Sequence, residues 1–277
     1  MAGPLTPGRD DPAGLDLAGT SIGPVLRDGG KSVVTLGRHD GHPVVVKVLT
    51  SDDPFWRARF AHEIAVLRAL AAHPAPVRTP GLVHTDGSRV LVVEHLPGRP
   101  LDRERYPTGP LPPGRIEDVL AALDGFAAWS PPGGLAPVFD YAARLARSHR
   151  DGTIDDRTHT VLQDLVARLG RPGRTAHGDP LPSNLLIGPT ALVDFEFTGT
   201  TLPGFDLAVL HTLLVDVPGA PARIRSRVAP ADEPAFLLNR ALVLTRELRM
   251  HRGKERLPAL TAQWEALLYE LPGPGHR

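Results

Sequence analysis

The residues most able to do chemistry lie close together in His177-Gly178-Asp179-Pro180-Leu181-Pro182-Ser183-Asn184-Leu185-Leu186-Ile187. An aspartate is followed, after four residues, by an asparagine and then an apolar run. A second apolar run, Ala191-Leu192-Val193, ends in Asp194-Phe195-Glu196. Gly188-Pro189-Thr190 is a tight turn between them, so the spacing predicts a hairpin that brings Asp194 back beside Asp179 and Asn184. Two carboxylates and a carboxamide would then meet, all of them hard oxygen donors. That set suits Mg²⁺, which takes one or two protein carboxylates together with substrate phosphates. Phosphoryl transfer needs such a cation to neutralise phosphate charge and a carboxylate to accept the acceptor's hydroxyl proton. Any one of these aspartates could equally cap a polar turn; the joint pattern carries the reading.

His-Gly-Asp-x-x-x-x-Asn followed by a strand ending in Asp resembles the catalytic region of the aminoglycoside phosphotransferase and choline kinase-like family. The resemblance spans about residues 18–270. It implies a bilobal, α+β protein-kinase-like fold, with a small antiparallel-sheet N-lobe and a larger, mainly helical C-lobe. It also implies ATP (or GTP) and Mg²⁺ as cofactors, Asp179 as catalytic base, Asn184 and Asp194 as metal ligands, and His177 as a brace for the catalytic loop. On the same grounds Lys47, in Val44-Val45-Val46-Lys47-Val48-Leu49, corresponds to the phosphate-binding lysine, and Glu63, sixteen residues on, to its helix partner. An ammonium in an apolar strand is costly unless paired. Taken singly, Lys47 could be an edge residue and Glu63 a solvated helix position. Gly29, Gly30 and Ser32 fall where the family has a loop over the phosphates, or form an ordinary hairpin. Glu94 and Leu96 resemble the hinge whose backbone faces adenine, or end a buried strand. Asp206 either caps a helix or bonds the catalytic loop.

The elements that must position these groups can be read from the pattern. Strands are expected near 18–26, 32–38 and 43–49, with Asp40-Gly41 a two-residue hairpin turn. A helix follows, capped by Asp52 or Asp53 with Pro54 in its first turn; Phe60, Ile64, Leu67 and Leu70 share a face, and Pro74 marks its end. Strands near 81–84 and 89–95 flank Asp86-Gly87. Residues 97–113 read as a linker. Helices are expected near 115–129, 137–149, 155–169, 205–216, 231–250 and 256–270. The expected division is residues 1–97, the N-lobe and phosphate clamp with 1–15 poorly ordered, and residues 98–277, the C-lobe with the catalytic loop and acceptor site.

Composition narrows the function. The 277 residues contain no cysteine, which excludes disulfide scaffolds, cysteine-ligated metals and thiol nucleophiles. Thirty-one basic residues balance 31 acidic ones, against a broad nucleic-acid surface. Neither a signal-length apolar segment nor a membrane-spanning run is present, so a soluble cytoplasmic protein is expected. Only Lys31, Lys47 and Lys254 are lysines; the other basic residues are arginines. Gly30-Lys31-Ser32 lacks the first glycine of a phosphate-binding P-loop and leads into a strand. Gly19-Thr20-Ser21-Ile22-Gly23 fits the nucleophile-elbow spacing but precedes Pro24 and a strand. About nine residues separate Glu196 from Asp206, too few for a protein-kinase activation loop.

The expected activity is therefore γ-phosphoryl transfer to a hydroxyl of a small molecule, an antibiotic (hence a resistance role) or another hydroxylated metabolite. No nucleic-acid or membrane partner is expected, and the oligomeric state is open. Residues 240–277 carry seven basic and four acidic residues, so nothing favours a highly cationic acceptor. The alternatives are a catalytically idle nucleotide-binding module and a protein kinase.

Overall fold

The structure, a computed structural model, describes residue 15 and residues 17–112 and 114–271. The order expected for the N-terminal segment lies outside the described residues, apart from Leu15. The chain divides into two units. Unit 1 runs to Ala72 and includes Pro80–Leu96; unit 2 comprises His73–Thr79 and Pro97 onward.

Unit 1 is an antiparallel sheet with one helix. Its strands are β1 (Ser21–Asp28), β2 (Ser32–His39), β3 (His42–Leu49), β4 (Leu82–Thr85) and β5 (Val90–Glu94), in the order β1-β2-β3-β5-β4. At the β2–β3 turn both Asp40 and Gly41 have positive φ, which matches the twist of a two-residue hairpin. Val44, Val46, Val90 and Val92 form a buried cluster on one face of the sheet. Alternation sends Lys47 to the other face. Helix α1 (Pro54–Ala72) starts where expected: Phe55 N donates to Asp53 Oδ1 at 2.8 Å. Phe60, Ile64, Leu67 and Leu70 are all buried on α1, with Glu63 among them.

Unit 2 is mainly helical. It holds β6 (Arg99–Pro100), α2 (Arg115–Ala127), α3 (Tyr141–Arg150), α4 (Asp156–Leu169), β7 (Arg174–Ala176), β8 (Leu185–Ile187), β9 (Ala191–Leu192), β10 (Gly199–Thr201), α5 (Phe205–Leu213), α6 (Ala220–Arg225), α7 (Glu233–Met250) and α8 (Leu257–Glu270). Asp140 and Asp155 cap α3 and α4 through the N–H groups of Ala143 and Thr158. The expected hairpin is β8–β9, with Leu185 opposite Leu192. The segment read as a linker is partly structural, because β6 pairs with β8, Arg99 opposite Ile187. The β7–β10 pair and α6 were not anticipated; three-residue strands and a six-residue helix are too short for periodicity to reveal.

Helix α7 runs through the core of unit 2. Leu238, Ala241, Leu242 and Leu244 pack with residues of α3, α4 and α8, while Val243 joins Phe205 and Val209 of α5. Its buried Asn239 is matched: it accepts from Tyr141 Oη at 2.8 Å and donates to Pro203 O at 2.9 Å. Residues 73–79 are also tied into this unit. Trp129 Nε1 donates to His73 O at 2.7 Å, and Leu192 N to Arg78 O at 3.0 Å.

Candidate active site

The loop between β7 and β8 is built to present Asp179. His177 N and Gly178 N donate to Asp206 Oδ2 and Oδ1 at 2.7 and 2.9 Å. Asp206 lies in the first turn of α5, whose N-cap is Gly204, so it braces the β7–β8 loop instead of capping the helix. Thr198 Oγ1 donates to His177 O at 3.1 Å. Gly178 has φ +84°, and a Cβ there would lie 1.9 Å from Phe197 O, so only glycine fits. The His177 ring is fully buried near Phe195 and Phe126. A carbonyl can only accept, so His177 Nε2 carries a proton to Val193 O at 3.0 Å. Burial lowers the His177 pKa, against the pull of Asp206 and Asp194. Burial likewise raises that of Asp206, against the pull of His177 and the two loop N–H groups.

Asp179 and Asn184 are joined directly. Asp179 O accepts from Leu181 N at 2.7 Å and from Asn184 Nδ2 at 3.0 Å. Val193 N donates to Asn184 O at 3.1 Å, which closes the hairpin end just before Asp194. Asp194 adopts φ +70°, a strained conformation for a residue with a Cβ. Desolvation raises the Asp179 pKa; Asp194 and Glu196 add to the rise, and Arg246 and Arg105 oppose it. Two carboxylates from the segment after β9 thus act on Asp179, and Glu196 adds a carboxylate to the three groups expected from sequence. The donors fit Mg²⁺: the Asn184 amide nitrogen is engaged by backbone, which turns its oxygen to the opposite side, and a divalent cation would relieve the clustered negative charge.

The basic side of this site was missed from sequence. Arg246 Nη1 lies 3.6 Å from Asp179 Oδ1 and its Nε donates to Glu247 Oε1 at 3.0 Å. Glu247 is wholly buried and accepts from Arg105 Nε at 3.0 Å, Arg105 Nη2 at 2.7 Å and Tyr106 Oη at 2.5 Å. Burial alone would raise the Glu247 pKa, but Arg246, Arg105 and Tyr106 bring it down to about 2. A fork-to-fork arginine pair of this kind is among the stronger charge-assisted arrangements.

In unit 1, Lys47 Nζ donates to Glu63 Oε2 at 2.7 Å, and the two side chains are 11% and 5% exposed. That pairing offsets the cost of an ammonium on an apolar strand. The Gly29–Gly30 loop is tightly self-bonded: Gly29 N donates to Ser32 O at 3.1 Å and Gly30 N to Asp28 Oδ1 at 3.1 Å. Its two N–H groups thus already hold oxygen acceptors, one of them anionic. Ser32 is buried and begins β2. Glu94 N is engaged within the unit by Gly81 O at 2.8 Å, and Leu96 is buried.

Three comparisons with known proteins bear on these geometries. Residues 26–237 match the model of the phosphotransferase enzyme family APH. No curated protein matches the chain. Among solved structures, aminoglycoside phosphotransferase APH(4)-Ia is similar over 92% of this chain and 96% of its own, with a TM-score of 0.68 at 16% identity. A thermostable mutant of that protein, in ternary complex with ADP and hygromycin B, covers 90% and 94%, with a TM-score of 0.62 at 16% identity. A microcompartment-associated aminopropanol kinase covers 82% and 83%, with a TM-score of 0.50 at 18% identity. At these identities the likeness is one of fold, the α+β protein-kinase-like fold expected from the sequence.

Proposed function

Because the chain belongs to the phosphotransferase enzyme family, we propose that it is a small-molecule kinase, moving the γ-phosphoryl group of ATP (or GTP) to a hydroxyl of its acceptor. The observation that carries this reading is the Asn184–Asp179 hydrogen bond in a loop braced by Asp206, which sets an acid–base group and oxygen donors side by side. Asp179 orients the acceptor hydroxyl and takes its proton as the phosphoryl group leaves the nucleotide. Asn184 and Asp194 hold Mg²⁺, which when bound neutralises phosphate charge. Lys47, fixed by Glu63, binds nucleotide phosphate; the Gly29–Gly30 loop and Ser32 assist, and Glu94 and Leu96 border the base. Because the transition state is loose, positioning and charge neutralisation supply most of the rate.

The acceptor is a hydroxylated antibiotic or metabolite. ADP and hygromycin B occupy one structural neighbour together, and an aminopropanol kinase is another, which supports a nucleotide and a small acceptor. Arg246 and Arg105 beside Asp179 speak for an acceptor of low positive charge. No helix among the described residues is long and apolar enough to cross a membrane; a cytoplasmic location is part of the proposal. A protein kinase is disfavoured by the few residues between Glu196 and α5.

Asp179→Asn should lower turnover by at least about 100-fold while leaving nucleotide affinity intact. Acceptors screened by phosphate-adduct mass and nucleotide binding followed by thermal shift with and without Mg²⁺ provide the measurements. Unchanged turnover would remove Asp179 from the base role. Nucleotide binding without any phosphorylated product would favour an idle module.

A further inference from the structure

Arg246 is held in an unusual way for a helix residue. It stands next to Glu247 on α7, and adjacent helix residues do not normally face each other. Its Nε nevertheless donates to Glu247 Oε1 at 3.0 Å, while Nη1 lies 3.6 Å from Asp179 Oδ1. The anchor is itself immobile. Both Glu247 oxygens are engaged, by the Arg105 fork and by Tyr106 Oη. The α7 carbonyl at Glu247 accepts from His251 Nδ1 at 2.9 Å.

The arrangement is expensive. Arg246 Nη2 is buried with no hydrogen-bond partner, and Glu247 is a charge with no exposed surface. Buried ionic clusters can often be replaced by apolar side chains with no loss of stability. Stability alone therefore does not account for a wholly buried carboxylate shared by two half-buried guanidinium groups at this point. What the cluster does achieve is a fixed cation at one oxygen of Asp179.

We infer that Arg246 is a positioning residue: anchored by Glu247 and Arg105, it holds the Asp179 carboxylate in the orientation that meets the acceptor hydroxyl. The inference rests on the reading of Asp179 as the base. In this role Arg246 acts through Asp179. The competing reading is purely structural, with the cluster only pinning residues 105 and 106 to α7.

A double-mutant cycle separates the two readings. Turnover and KM of MgATP are measured as ATP hydrolysis, with water as the acceptor, in wild type, Arg246→Met, Asp179→Asn and the double variant. Arg246→Met should lower kcat about 10- to 100-fold, with the KM of ATP moving less than about twofold, since small misplacements of a reacting group cost this much. In the Asp179→Asn background the same substitution should change kcat by less than about twofold. Arg246→Lys should recover part of the loss, and it replaces Arg246→Met in the cycle if the methionine variant does not fold. Equal losses in both backgrounds, an effect on KM alone, or unchanged kcat would overturn the inference. A silent Asp179→Asn would instead overturn the base assignment, so the two failures are distinct.

Discussion

Lys47 and Arg246 are both cations held next to buried carboxylates, but by different constructions. Lys47 is set by regular structure: strand alternation turns it to the helix face of the sheet, and one helix position, Glu63, meets it at 2.7 Å. Arg246 is set by side chains. It divides itself between Glu247 and Asp179, and Glu247 is fixed by Arg105 and Tyr106 from a distant part of the chain. A strand–helix pair gives a compact ammonium suited to an anionic ligand. A side-chain network gives an orientation, with stability dependent on every member.

The sharpest break between the two should come from removing each carboxylate. Glu247→Ala leaves two half-buried guanidinium groups without their shared partner and should cost about 3 kcal/mol, read as a fall in calorimetric Tm. Acid should act in the same place. The Glu247 pKa lies near 2 in the folded chain, below its ordinary 4.5, so its contribution is complete above about pH 4.5. It is lost as the pH falls from there toward 2, by roughly 3 kcal/mol in all. Denaturant titrations of wild type and Glu247→Gln should converge over that interval; parallel curves would show that the carboxylate is not ionised in the fold. On the other side, Lys47→Arg keeps the charge but not the compact geometry, and should lower kcat/KM for ATP at least about 10-fold, with little change in Tm. The mildest expected effect is that of Glu63→Gln, which keeps an acceptor for Lys47 and should cost about 1 kcal/mol of stability. A loss as large as that of Glu247→Ala would erase the contrast.

The same contrast explains what the sequence discloses. The segment from His177 to Asp194 is continuous, and its turn and apolar runs dictate how the chain doubles back. Lys47 and Glu63 lie on a strand and a helix whose periodicities assign their faces. Arg105 and Glu247, 142 positions apart, offer no such pattern. Arg105 sits in a stretch read as linker, and Arg246 appears in sequence only as one of several arginines near the C-terminus. A wholly buried glutamate between two arginines on a helix looks, in sequence, like a solvated charge run. Asp206 was ambiguous for a related reason: a helix's first turn suits a cap, and only the tertiary approach of His177 and Gly178 turns its oxygens to the loop.

The strap of residues 73–79 bears on the order in which the protein can assemble during synthesis. By the time Glu94 has left the ribosome, every strand of the five-stranded sheet and α1 are present, yet the strap between α1 and β4 still lacks its partners. Trp129, 56 residues after His73, arrives later, and Leu192 later still. At about 5–20 residues per second, the strap waits several seconds. A fragment ending at Leu96 would therefore lack the hydrogen bonds that Trp129 and Leu192 give this segment, which folding of the helical unit supplies. The chain is stitched together out of sequence order, so cutting it at one point does not release two self-sufficient halves.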